Sequence, residues 1–151
     1  AVNLAMMMNQ AQDMGLDTNW LAIDSCEVPE FITIGGEAVV DKVYFSSFFD
    51  TAVAQTPVTT YLLDEYAKRY DDECSSFVAL QYDAYTMLLQ AISDAGTTDG
   101  DAICKALENI KGFEGATGVL EFDANHNIEN LAVVKTVGAD GKFKYVATVK
   151  P

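Results

Sequence analysis

The sequence predicts an α/β fold whose chain passes between two lobes, and three observations carry that prediction. Apolar runs of strand length alternate with helical periodicity at the start, a helical stretch fills the middle, and beyond Gly115 the apolar period changes from 3.6 residues to 2. Half of the 151 residues are hydrophobic and 11% are aromatic, enough to bury the core of an ordinary domain.

The elements follow in order. Asn3 to Met14 places Leu4, Met7, Met8 and Ala11 on one helical face, and Gly15 stands where a left-handed cap would end that helix. Trp20 to Ile23 reads as a buried strand that delivers Asp24 at its C-terminal end. Pro29 lies near the first turn of a short helix through Ile34, which Gly35-Gly36 ends, and Lys42 to Phe48 is an aromatic and β-branched strand. Thr51 to Pro57 is a polar linker and the best candidate for a change of domain. Val58 to Tyr70 is helical through Tyr61, Leu62, Tyr66 and Ala67. Ser75 or Ser76 can cap a long helix from Phe77 to Ala95, with Leu80, Ala84, Met87, Leu88 and Ile92 at helical spacing and Gly96 as its stop. Asp99 can cap another, carrying Ala102, Ile103, Ala106, Leu107 and Ile110 and stopping near Gly112. Val119 to Phe122, Leu131 to Val137 and Phe143 to Val149 are strands, joined by Asn125-His126-Asn127 and Ala139-Asp140-Gly141, both turn sequences.

Charge narrows the partners. A formal charge of −14, with nine Lys and Arg against 23 acidic residues, repels phosphate backbones and anionic lipid, so nucleic acid is excluded as a partner. No stretch approaches the roughly 18 to 20 apolar residues of a membrane span. Cys26, Cys74 and Cys104 lack CxxC spacing and His126 is the sole histidine, so neither a metal nor another cofactor is expected. A Cys74–Cys104 disulfide and three separate thiols both stay open. The chain starts at Ala1 and enters directly into a helical pattern, which suggests a processed, trimmed or partial chain.

Motifs of known chemistry are incomplete. Gly35-Gly36 has no third glycine and no Lys-Ser/Thr behind it, so it reads as a helix stop and not as a phosphate cradle. Asp123, Asn125 and Asn127 begin like a calcium loop, but Ile128 stands at the sixth position and Val134 at the twelfth, so the stretch reads as a hairpin turn. Cys26 with His126 sits in no nucleophile context, and the chain is not expected to be an enzyme. Asp24 remains. A carboxylate at the C-terminal end of an apolar strand is where open α/β sheets hold ligands, and it could equally cap the Pro29 helix or stay solvated.

Several runs in order resemble the branched-chain amino-acid-binding protein family. They are Gln10-Ala-Gln-Asp-Met-Gly-Leu16, Trp20-Leu-Ala-Ile-Asp24, Ile34-Gly-Gly-Glu-Ala38 and Val43-Tyr-Phe-Ser46, then Phe77-Val-Ala-Leu-Gln-Tyr-Asp-Ala84, Phe113-Glu-Gly-Ala-Thr-Gly118, Phe122-Asp-Ala-Asn125 and Lys144-Tyr-Val-Ala-Thr-Val149. Each is weak alone, and the ordered set covers nearly the whole chain. The resemblance implies the type I periplasmic-binding-protein fold, in which two three-layer α/β/α lobes are joined by three crossing strands and close over a ligand. It implies further that this chain is the C-terminal portion of such a protein. Residues 1–45 would then belong to lobe two, 46–130 to lobe one and 131–151 to lobe two again, with one crossing before the Thr51 to Pro57 linker and another near Glu129.

Site residues also come from the resemblance. The family holds the ligand's α-ammonium with an acidic residue just after the strand matching Leu21 to Ile23, which is Asp24 here; some relatives carry Glu, so the shorter Asp24 leaves the ligand's identity open. An aromatic residue at the start of the long helix faces the ligand side chain and matches Phe77, for which core packing is the alternative. Ser25 and Cys26 adjoin Asp24 and could line the cleft. The function implied is solute capture for an ABC permease, with an amino acid as ligand and no chemistry performed on it. A ligand-sensing receptor ectodomain on the same fold is the alternative. The location implied is extracytoplasmic, either periplasmic or as a cell-surface lipoprotein. The family's carboxylate-binding groups and its ligand-stacking Tyr lie outside these residues, so the segment alone is expected to bind amino acids weakly, its open edges covered by the missing N-terminal half or by self-association.

Overall fold

In chain order the elements are α1 (Val2–Asp13), β1 (Trp20–Ala22), α2 (Pro29–Gly35), β2 (Val43–Ser47), α3 (Pro57–Arg69), α4 (Ser76–Ala95), α5 (Gly100–Glu108), β3 (Phe113–Gly115), β4 (Gly118–Leu120), β5 (Ala132–Val137) and β6 (Phe143–Val149). The computed structural model describes residues 1–128 and 131–149, so the crossing expected near Glu129 and the last two residues lie outside the described residues. Two units result: Ala1–Ser47 with Ala132–Val149, and Phe48–Leu131. The polar stretch at residues 51–57 lies inside the second unit, and the first division falls at the end of β2.

The first unit is built on a sheet ordered β1-β2-β5-β6. Strands β1 and β2 are parallel, with Trp20 opposite Val43, while β2 with β5 and β5 with β6 are antiparallel. Period-two burial makes β2 its organiser: Val43, Phe45 and Ser47 are buried, and Tyr44 and Ser46 are half-buried. Helices α1 and α2 supply the covering apolar stripe. Ala5 and Met8 of α1 and Phe31 of α2 join Cys26, Val39, Val43, Phe45 and Val137 in one core. Phe31 and Phe45 are almost wholly removed from water, each worth roughly 1.5 to 3 kcal/mol. The α1 stripe is narrower than expected. Met7 is 53% exposed, and the buried line runs through Ala5, Met8 and Ala11. Gly15 takes φ +73° beyond that helix, the left-handed conformation its position called for.

In the second unit, α4 is capped by Ser75, whose Oγ accepts from the Val78 N–H at 3.4 Å, and α5 by Asp99, which accepts from the Ala102 N–H at 3.0 Å. Gly96 closes α4 in the left-handed region. Two apolar clusters form, one around Phe49, Leu62, Cys74, Ala79 and Ala116 and one around Met87, Ala91, Ile110 and Leu120. The buried line of α4 is Ala79, Asp83, Met87 and Ala91, and of the expected line of Leu80, Ala84, Met87, Leu88 and Ile92 only Met87 lies on it. A hairpin displaces it: β3 and β4 pair through Glu114 and Val119, and their turn is clasped by Asp83.

Candidate functional site

Strand β1 ends at Ala22, Ile23 remains extended, and Asp24 opens a 3-10 turn, Asp24–Cys26. The turn closes through the Cys26 N–H to Ile23 O (3.1 Å) and the Glu27 N–H to Asp24 O (2.8 Å). Asp24 is half-buried, and among the described residues no hydrogen bond or ion pair engages its carboxylate. The helix that follows is capped by Val28 without a side-chain bond, so Asp24 does not cap it. Its carboxylate therefore stands at a strand terminus with its acceptor sites uncommitted, able to receive an ammonium group.

The neighbours of Asp24 divide by direction. Ser25 is exposed at the middle of the turn. Cys26 is 2% exposed and packs in the core, and burial pushes its thiol up from its ordinary value, with the Asp24 carboxylate adding to the shift. A thiol held protonated in that way is inert as a nucleophile. The three cysteines are free thiols, Cys26 and Cys74 buried and Cys104 exposed.

Glu27 closes the turn from inside, and the sequence reading missed it. Its Oε1 lies 2.6 Å from Lys135 Nζ, and its Oε2 accepts from Ser47 Oγ at 2.6 Å. Both charged side chains are only 6% exposed. Lys135 projects from β5 on the face where Val133 and Val137 are buried, opposite Phe45. A lysine in register with the inward valines of β5, Val133 and Val137, is the signal that could have revealed this pair, because a buried ammonium needs a partner.

Phe77 belongs to the second unit. It is the second residue of α4, 45% exposed, and lines a groove of about 780 Å³ between α3 and α4 with Tyr61, Tyr66, Tyr82 and Tyr85. It is thus an aromatic face open to contact and not a core residue. Asp24, Ser25 and Cys26 are brought together by one turn, whereas Phe77 stands on the other unit.

The remaining polar features are structural. Asp123 Oδ1 accepts from the Asn125 and Asn127 N–H groups, both at 2.8 Å, and these bonds hold its carboxyl below the usual range. That carboxylate closes its own turn. His126 Nε2 lies 3.4 Å from Glu108 Oε1. Asp83, 2% exposed, accepts from the Ala116 N–H (2.5 Å), the Thr117 N–H (2.8 Å) and Thr117 Oγ1 (2.7 Å), while Thr56 and Thr59 donate to the carbonyls of Gly115 and Ala116.

Comparison with known proteins shows what the chain is similar to. A family model described as periplasmic binding protein matches residues 2–142. A leucine-, isoleucine-, valine-, threonine- and alanine-binding protein of Pseudomonas aeruginosa is 27% identical over 128 residues, 85% of this chain and 33% of the relative. A Leu/Ile/Val-binding protein homolog of Brucella abortus is 24% identical over 93% of this chain and 38% of its own length. Among solved structures, a leucine-binding protein of Thermotoga maritima superposes with a TM-score of 0.91 at 33% identity, covering 99% of this chain and 42% of the other. A branched-chain amino acid transporter substrate-binding protein of Streptococcus pneumoniae, solved with isoleucine, gives 0.82 at 33% identity, covering 97% and 41%. The sequence therefore spans well under half the length of these relatives.

Proposed function

The chain belongs to the periplasmic-binding-protein family, and from that premise we propose that it is part of the substrate-capturing component of an ABC importer for a branched-chain or related amino acid. Members of the family are solute-binding proteins and work outside the cytoplasm. A cell-surface lipoprotein form is the finer part of the same reading. Among the described residues no helix is long and apolar enough to cross a membrane.

The observation that carries the proposal is the uncommitted, half-buried carboxylate of Asp24 at the end of β1. In this reading it accepts the ligand's α-ammonium, Ser25 offers a hydroxyl beside it, and Cys26, its sulfur in the core, anchors the turn from within. Phe77 contributes an aromatic face for an aliphatic side chain. We assign Ala1–Ser47 with Ala132–Val149 to lobe two and Phe48–Leu131 to lobe one. The permease receives the loaded protein, and the outer edge of β1, where Leu21 is 88% exposed, is covered by further chain or by a second copy.

Calorimetric titration of the full-length protein with leucine, isoleucine and valine tests the reading. A charge-assisted contact is worth about 1.5 to 3 kcal/mol, so Asp24→Asn is expected to weaken leucine binding roughly 10- to 150-fold. Undiminished affinity in that variant would remove the basis of the proposal.

A further inference from the structure

We infer that the buried pair Glu27–Lys135, tied to Ser47, is a positioning device for Asp24. The inference rests on the reading of Asp24 as the ammonium contact. It starts from a question of cost: two ions 2.6 Å apart, both 6% exposed, stand on a sheet face otherwise filled by Val43, Phe45, Val133 and Val137. Desolvation offsets most of the attraction within such a pair, and an apolar pair of equal volume commonly serves stability as well. What the ions supply that an apolar pair cannot is directional geometry.

That geometry acts on one short segment. Between the end of β1 and Pro29 the backbone is neither strand nor α-helix, and the Glu27 N–H that closes the 3-10 turn on Asp24 O belongs to the residue whose carboxylate is fixed to the sheet. Ser47 holds one oxygen from the end of β2, and Lys135 holds the other from β5. The tie thus joins the turn to two adjacent strands. Cys26 adds core packing next to Glu27, so the turn that carries Asp24 is anchored at two consecutive residues. A charged contact gives its full strength only when its carboxylate is held in place before the ligand arrives. Pairing with Lys135 also neutralises Glu27, so that the turn presents one negative charge and not two.

The test uses the full-length protein and leucine as the probe. Glu27→Gln/Lys135→Met removes both charges together and leaves no bare ion inside, whereas Ser47→Ala removes a single donor. The double variant is expected to bind leucine about tenfold more weakly, equivalent to about 1.4 kcal/mol, and Ser47→Ala about threefold more weakly, each with a cooperative thermal transition. In an Asp24→Asn background the same changes should alter affinity by less than about twofold, because the contact they position is already gone. Leucine affinity unchanged in the folded variants overturns the inference while leaving Asp24 as a ligand contact. Equal losses in both backgrounds overturn it too, since a merely structural role acts regardless of Asp24. If Asp24→Asn alone is without effect, the ammonium reading fails and this inference falls with it. Should the double variant not fold, Ser47→Ala in the two backgrounds decides.

Discussion

Asp83 shows how much a single residue can carry without advertising it. In the sequence it is a polar position inside a helix, and polar helical positions are read as facing water; in the structure it is buried and accepts three hydrogen bonds from Ala116 and Thr117. Its partners lie more than thirty residues away, so no local pattern exposes the contact. The place of Asp24 just beyond β1 was legible for the opposite reason, because a carboxylate following a short apolar run is a local pattern. The Asp83 clasp also explains Gly115, where a methyl group would stand 2.7 Å from a carboxylate that its hydrogen bonds prevent from moving away. Gly115→Ala is expected to destabilise the protein by about 1 to 3 kcal/mol through overpacking. Asp83→Ala, which strands buried donors, should cost roughly 3 kcal/mol. Since the obstruction vanishes with the carboxylate, urea denaturation of the double variant should show markedly less than the sum of the two losses. Strict additivity would mean that the clasp is not what excludes a side chain at Gly115.

At the scale of elements, termination signals translated well and packing faces less well. Ser75, Asp99, Gly15 and Gly96 occupy the caps their chemistry suits, because a cap is decided by bonds spanning about three or four residues. The buried faces of α1 and α4 are rotated from those drawn by hydrophobicity, since Met7 and Leu88 are left exposed and Asp83 is taken in. Strand β3 went unseen: Phe113–Gly115 is only three residues long and pairs with β4 across a tight turn, which leaves period two no room to register. The caps differ in what depends on them. Helix α5 has nine residues and no fully buried side chain, while α4 has twenty and a continuous buried line. Its cap bond is also the shorter, at 3.0 Å against 3.4 Å. Asp99→Ala should therefore cost about 1 kcal/mol and raise amide exchange at Ala102 and Ile103, with a smaller loss for Ser75→Ala. Exchange data with the reverse ranking would show that α5 is held by packing and not by its cap.

Strand pairing is a property of the whole chain, which is why every strand but β3 could be found in the sequence while their order could not. Ser47 pairs with Val133, and that pairing puts Lys135 within reach of Glu27. The same non-locality bears on binding. An α-amino acid is a zwitterion, and the role proposed for Asp24 answers only its ammonium end; the carboxylate end needs donors, in a chain whose formal charge is −14. Lys42 is paired with Asp17, Lys68 and Arg69 with Glu65, Lys111 with the Phe122 carbonyl and Lys135 with Glu27, so much of the small cationic complement is already engaged within the fold. A segment spanning 33% to 42% of its relatives' length would then bind the free ligand feebly by itself. Leucine at about 1 mM should give little heat with the isolated 151 residues, placing Kd above roughly the millimolar level, whereas the full-length protein should bind in the micromolar range or tighter. Substituting 4-methylpentanoate, which lacks the amine, should abolish the advantage of the longer chain only in part, because the donors that hold its carboxylate remain. Micromolar leucine binding by the segment alone would mean that these residues also hold the carboxylate, and the division of labour argued for Asp24 would have to be redrawn.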